Sequence, residues 1–315
     1  MRIRNLIRGF ALVLAVTPPA RAAAQAIKVT LLGTGNPNPT MARFGPSTLV
    51  EAGGQTLLFD AGRGALQRLT QVHVPWQSVD GVFFTHLHSD HVVGFPDLWL
   101  TGWLVSGGRQ RPVHVWGPVG TRAMMTHLTE AYVFDLGIRQ AGNRSDSAGT
   151  ELIAEEIAEG VVYEHDGVRV TAFAVDHGEV RPAFGYRIDY QGHAVVLSGD
   201  TRPTPNLIRY AQGADLLVHE VVSPAAMARS GRDPAQAAAV ISYHTTAEQA
   251  GRIFAETKPK LAVYSHIGPP SATTEDLIGP ARATYAGPLE VGEDLMVIEI
   301  DSTVRVRRPE PNSSR

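Results

Sequence analysis

Apolar residues fall along this chain in short runs, each stopped by glycine, proline or a charged side chain. Runs of that length rich in Val, Ile, Leu and Phe read as strands, and stretches with apolar residues three or four apart read as helices. Strands are predicted on this basis at 27–32, 47–51 and 56–60, the last two forming a hairpin about Gly53-Gly54. A helix follows at 64–71, with Leu66 and Leu69 on one side, then a strand at 80–85 and a helix carrying Phe95, Leu98, Trp99 and Trp103. Further strands are expected at 113–116, 168–175, 183–190, 194–198, 215–220 and 261–264, and further helices at 121–132, 203–212 and 246–257. The small polar stretch 142–150 reads as an insertion, because candidate functional residues lie on both sides of it. Strands in both halves with helices outside predict two stacked sheets between helical layers, in one domain covering 27–301. Residues 302–315 read as a flexible tail.

The ends of the chain change this picture only at the start. Arg2, Arg4 and Arg8 precede an apolar run over 9–16, and small residues at 22–26 follow, the pattern of a cleavable signal peptide over residues 1–26. The run is less than half of the roughly 20 apolar residues that a membrane span needs. A periplasmic or secreted protein with no membrane span is therefore expected. Lys and Arg total 28 against 31 Asp and Glu, a net charge of −3. Residues 1–26 hold four Arg and no acid, so the mature chain has 24 against 31, or −7. A net negative surface gives no electrostatic help in binding a polyanion and counts against nucleic acid as a partner. There is no cysteine, so any metal must be held by nitrogen and oxygen.

The chemistry concentrates where strands end. The predicted strand at 80–85 runs into His86-Leu87-His88-Ser89-Asp90-His91, three imidazoles and a carboxylate within six positions. Extended backbone puts His86 and His88 on one side, and a turn lets Asp90 and His91 face a second nearby point, which suggests two adjacent metals. Other strands end at Asp176-His177, at Gly199-Asp200 and at Ser265-His266, while His244 opens a helix. The glycine loop at 33–39 lacks the spacing of a dinucleotide fingerprint and runs into prolines instead of a helix.

With those residues in place, the sequence resembles the metallo-β-lactamase superfamily, whose signature is the run seen here as His86-x-His88-x-Asp90-His91 with later His, Asp and His. It is similar in particular to the ribonuclease Z and arylsulfatase-like branch, through Ser198-Gly-Asp-Thr-Arg-Pro203, Val218-His-Glu220, His244-Thr-Thr-Ala-Glu-Gln-Ala250 and Ser265-His-Ile267. The resemblance covers about 27–300. It implies an α/β fold, a four-layer αββα sandwich of two mixed sheets flanked by helices. It further implies that His86, His88 and His177 hold one metal, that Asp90, His91 and His266 hold the other, and that Asp200 bridges them. Two Zn2+ are expected on ligand type, with Mn2+ as the alternative. A hydroxide between the metals would be the nucleophile, oriented by Asp90, with His244 as proton donor to the leaving group and Glu220 as its partner. Relatives are often dimers, so a homodimer is expected.

On substrate, the resemblance divides. Ribonuclease Z enzymes commonly carry a protruding tRNA-binding arm between the third histidine motif and the bridging aspartate, and here only the interval from His177 to Asp200 is open to it. The missing arm, the acidic mature chain and export together predict an exported, arylsulfatase-like hydrolase of small anionic aryl sulfate or phosphodiester esters. A ribonuclease Z-type tRNA 3′-processing endonuclease and a lactone or β-lactam hydrolase are the alternatives. Arg43, in the loop 33–46, is the candidate to pair with the anion. Phe95, Trp99 and Trp103 offer an aromatic wall, although their helical spacing favours the core.

Overall fold

In the computed structural model, residues 26–105, 108–142 and 147–309 are described, so all but the last residue of the expected leader lies outside the described residues. One sheet takes the first six strands: β1 (Ile27–Gly33), β2 (Ser47–Ala52), β3 (Gln55–Phe59), β4 (Gly81–Phe83), β5 (Val113–Gly117) and β6 (Leu152–Glu156). The second takes the next seven: β7 (Gly160–His165), β8 (Val168–Ala174), β9 (Phe184–Tyr190), β10 (His193–Leu197), β11 (Leu216–Val222), β12 (Leu261–Gly268) and β13 (Leu289–Val291). The chain then returns to the first sheet through β14 (Met296–Ile300) and β15 (Val304–Arg307). Strand order is β15-β14-β1-β2-β3-β4-β5-β6 in one sheet and β13-β12-β11-β10-β9-β8-β7 in the other. Both are mixed: β3 to β6 and β10 to β13 run parallel, and the remaining pairs are antiparallel.

The period-2 alternation of the strands builds the layers. In β1, Ile27, Val29 and Leu31 point inward and meet Val170, Ile188, Val195 and Val263 of the facing sheet in one core between the sheets. Helices cover both outer faces. On the first sheet lie α1 (Ala65–Gln71), α2 (Ser89–Val92), α3 (Phe95–Leu104), α4 (Thr121–Ala131) and α5 (Val133–Ala141), which join Leu49, Leu58 and Val82 in a second core. On the other lie α6 (Pro205–Ala211), α7 (Pro224–Arg229), α8 (Pro234–Ser242), α9 (Ala247–Thr257) and α10 (Thr274–Arg282). From these, Leu207, Ile253, Phe254 and Leu277 pack on Val196, Leu217 and Ala262. This is the expected αββα sandwich. Phe95, Trp99 and Trp103 are buried in the second core and form no wall of a cleft. None of the described helices is long and apolar enough to cross a membrane.

Several elements depart from the expectation. β15 occupies part of the tail read as flexible: Val304 and Val306 pack on the first core while Arg305 and Arg307 ion-pair with Glu299, as suits a charged edge strand. Helices α5, α7, α8 and α10 and strands β6, β7, β13 and β14 fall in stretches given no element. The loop after β1 is fixed by Asp294, whose carboxylate accepts from Thr34 N and Oγ1, from Phe44 N and from Arg68, all at 2.7–2.9 Å. Arg68 and Asp294 are both buried, so removing one partner leaves an uncompensated charge. Asp294→Ala is expected to lower stability by about 3 to 5 kcal/mol, read as a shift in the denaturant midpoint; a change below about 1 kcal/mol would show the pair to be dispensable.

Candidate active site

The ligand-type residues meet at one edge of the sandwich because the strands that carry them end there. β4 delivers His86 to His91, β8 leads to His177, β10 to Asp200, and β12 carries His266. Two local devices aim the last two. Gly199 turns the chain at φ +61°, where a Cβ would come within 2.5 Å of Phe184 O, so only glycine fits before Asp200. His266 sits in a bulge of β12: Ser265 pairs with Glu220 and Ile267 with Val221, leaving His266 as the extra residue, at φ +44°. Bulges of this kind re-aim a side chain beside an active site.

The donor atoms form two groups. One ligand atom each from His86, His88, His177 and Asp200 lie within 4.8 Å of one another, and so do those of Asp90, His91 and His266. Asp200 joins the groups: its Oδ2 is 3.9 Å from His86 Nε2, 3.8 Å from His177 Nε2, 3.4 Å from His91 Nε2 and 3.3 Å from His266 Nε2. His86 Nε2, His91 Nε2 and Asp200 Oδ1 are buried without a hydrogen-bond partner among the described residues. Orphaned buried atoms are costly in a finished interior, so a set aimed at common points fits divalent ions. All donors are nitrogen or oxygen, as the lack of cysteine requires.

Tautomers are set from behind the cluster. Asp60 accepts from Thr85 N at 2.8 Å, from Thr85 Oγ1 at 2.9 Å and from His91 Nδ1 at 2.7 Å. A carboxylate only accepts, so His91 carries its proton on Nδ1 and offers Nε2 forward. Thr85 Oγ1, having donated to Asp60, accepts from His86 Nδ1 at 3.0 Å, and Tyr243 O accepts from His177 Nδ1 at 3.0 Å. Burial lowers the pKa of His86, His88 and His177, which keeps the imidazoles neutral and ready to ligate. Burial also opposes charge on Asp200, but the surrounding His266 and His91 outweigh it and hold the carboxyl well below its usual range.

Beside the groups lies a paired histidine and carboxylate. His244 Nδ1 donates to Glu220 Oε1 at 2.9 Å, and the same oxygen accepts from Thr201 N at 3.0 Å and Thr245 N at 3.2 Å. Burial works against charge on the ring, yet Glu220 more than offsets it and the pKa is pushed up to about 9. Cations held nearby would act in the opposite direction. A cleft of about 230 Å3 opens on His88, Asp90, Asp200, His244 and His266, walled on its far side by Val222, Met227 and Val240.

Arg43 is placed elsewhere. Its Nη1 donates to Thr34 Oγ1 and to Gly292 O, both at 2.6 Å, and Asp294 and Glu293 supply its counter-charge. The guanidinium ties the loop to the β13–β14 turn and is not among the residues lining the cleft, so the expectation that it pairs with a substrate anion is corrected. Asp60 was missed by the motif reading, although it too ends an apolar strand.

Comparison with known proteins agrees with this geometry. The family model described as the Beta-lactamase superfamily domain matches residues 55–267. The chain belongs to the metallo-β-lactamase superfamily. Within it the relatives are of the ribonuclease Z branch: a protein named Ribonuclease Z from Mycobacterium sp. (strain KMS) is 36% identical over 283 residues, covering 89% of this chain and 99% of the relative. Another of that name, from Mycobacterium avium (strain 104), is 37% identical over 279 residues, 88% and 99%. In fold, this superfamily member matches human tRNase Z, short form, with a TM-score of 0.65 at 23% identity over 87% of this chain and 99% of that one. It also matches the metallo-β-lactamase fold protein YhfI from Bacillus subtilis, with a TM-score of 0.67 at 19% identity over 87% and 98%.

These relatives overturn two expectations. The arylsulfatase-like reading is not supported, and neither is a sulfuric ester substrate; nor can nucleic acid be set aside, since the names are those of RNA-processing enzymes. The arm argument failed for a reason visible in the extent of the match. The 283 matched positions take up 99% of the relative and 89% of this chain, so the two have nearly the same length over the match and leave no room for a large insertion in the relative alone. Between His177 and Asp200 this superfamily member has the β9–β10 hairpin, and an arm there is not a condition of the name. Net charge misled because it sums the whole surface, whereas phosphates are contacted at a few places.

Proposed function

We propose that this chain is a two-metal phosphodiesterase of the ribonuclease Z type, cleaving a precursor tRNA at its 3′ side, with zinc as the metal and manganese as the second candidate. The observation that carries the reading is the end-to-end match, at 36% identity, to a protein named Ribonuclease Z. In this reading His86, His88 and His177 hold one ion, Asp90, His91 and His266 hold the other, and Asp200 lies between them; the grouping of their donor atoms supports it. Bound divalent ions supply Lewis acidity toward a phosphoryl oxygen and toward water. The chain's own residues do the rest. Asp90, facing the cleft, accepts a hydrogen bond from the attacking water and orients it. His244, its Nδ1 proton held by Glu220, gives the proton on Nε2 to the ester oxygen as the phosphorus–oxygen bond breaks, so that the leaving strand departs as an alcohol. The apolar wall of Val222, Met227 and Val240 limits water around that oxygen.

The test is incubation of the zinc-loaded protein with a precursor tRNA and, in parallel, bis-nitrophenyl phosphate, with and without chelator. Chelator-sensitive release of the 3′ trailer is expected; turnover of the ester with an intact tRNA would overturn the reading. Export, for which residues 1–26 argue, is a separate proposal, checked by the N-terminal sequence of protein recovered outside the cytoplasm.

A further inference from the structure

The cleft does not end at the reacting groups. Between Glu220 and His244 the chain inserts α7 and α8, and Met227 and Ala237 pack with Val222 in a small apolar cluster that seats both helices against the end of β11. The turn joining them is fixed at both ends. Ser230 N and Oγ donate to Met227 O, and Asp233 caps α8 by accepting from Ala235 N and Gln236 N. Arg232 stands on this turn, its own backbone N donating to Ser230 Oγ.

Arg232 borders the cleft and also a second depression that leads outward over Arg229, Ser230, Pro270 and Ser271. Asn38, Arg232 and Pro269 line both, so the two form one trough with Arg232 at its neck. The two arginines differ in availability. Arg229 is paired with Asp276 at 2.6 Å, whereas the Arg232 guanidinium has no acceptor among the described residues. An ester with a single phosphate is engaged in full at the cluster and needs nothing at the neck. A nucleic acid strand brings a second phosphate one nucleotide away, and an arginine fork suits a phosphate.

We propose that Arg232 binds the phosphate next to the scissile one, and that the outer depression carries the single strand beyond it. This rests on the RNA reading above and deepens it: the enzyme recognises at least two consecutive phosphates of an unpaired strand. Because Arg232 is exposed and its turn is held by other residues, its replacement leaves the fold intact.

The experiment compares wild type, Arg232→Ala and Arg232→Lys, zinc-loaded and matched in thermal midpoint. The substrates are RNA oligomers of fixed cleavage site with one, two or three phosphates along the strand, with bis-nitrophenyl phosphate as the single-phosphate reference. In wild type the second phosphate is expected to raise kcat/KM about tenfold. R232A loses most of that gain, falling further on the longer strands than on the reference, and R232K recovers part of it. The slope of log affinity against log salt drops by about 0.7, the share of one single-strand phosphate. An equal loss on every substrate, or cleavage of RNA in wild type with no gain from a second phosphate, would overturn the role of Arg232. Failure of wild type to cut any RNA while turning over the ester would instead overturn the RNA reading and take this inference with it.

Discussion

Asp200→Ala is expected to lower kcat by about a thousandfold or more on every substrate, the largest single effect in the molecule. One oxygen of this carboxylate lies within 4 Å of four imidazole nitrogens drawn from three separate segments of the chain. It is a negative charge that balances the cluster and an acid that approaches imidazoles of both groups, His86 and His177 on one side and His91 and His266 on the other. Removing it leaves each group with histidines and at most one acid, so metal affinity and the rate fall together. Asp200→Asn keeps the shape and loses the charge, and it is expected to fail nearly as badly. Metal content measured beside steady-state turnover decides the matter: a variant that retains two ions per chain and the wild-type rate would refute the proposed role of Asp200.

The second large effect is selective. His244→Ala is expected to cost about 10²- to 10⁴-fold in kcat where the leaving group is an ordinary alcohol, as in RNA, and much less with a nitrophenolate. The reason is that an alkoxide needs the proton as it departs, while nitrophenolate is stable without it. Only Nε2 is free to supply that proton, because Nδ1 is held on Glu220. Rates on a series of aryl and alkyl phosphodiesters give the comparison, and a uniform loss across the series would reduce His244 to a structural role.

How much of this could be read beforehand differs by element. The strands β1 to β5 and β8 to β12 were legible because each is an apolar run of limited length with a turn residue at its end, and the ligand-type residues were legible because they sit where those runs stop. Asp60 obeys the same rule and was still overlooked, since it lies in none of the motifs that carry the resemblance; its contacts with Thr85 and with His91, 31 positions away, reveal its work. Helices α7 and α8 are short and alanine-rich, with little amphipathic signal, but Ser223-Pro224 and Asp233-Pro234 are start signals of the cap-then-proline kind. Strand β15 was hidden in a charged tail although Val304-Arg305-Val306-Arg307 alternates with period two. Arg43 was misjudged because a sequence shows that a cation is near a glycine loop, not which acceptors the fold has already placed around it. Arg232 was invisible for the converse reason: its meaning depends on an unpaired position between two depressions.

The three hydrogen bonds on one oxygen of Glu220 restrict how this enzyme can evolve. The donors come from Thr201, beside Asp200, and from His244 and Thr245, at the turn that leads into α9. A lineage that drifted toward substrates with self-sufficient leaving groups could discard the imidazole at position 244 and keep working. It could not discard the carboxylate at position 220, because the two remaining donors would be stranded in a buried interior and the segment bearing Asp200 would lose its anchor. Position 220 is thus expected to outlast position 244 among descendants that change chemistry.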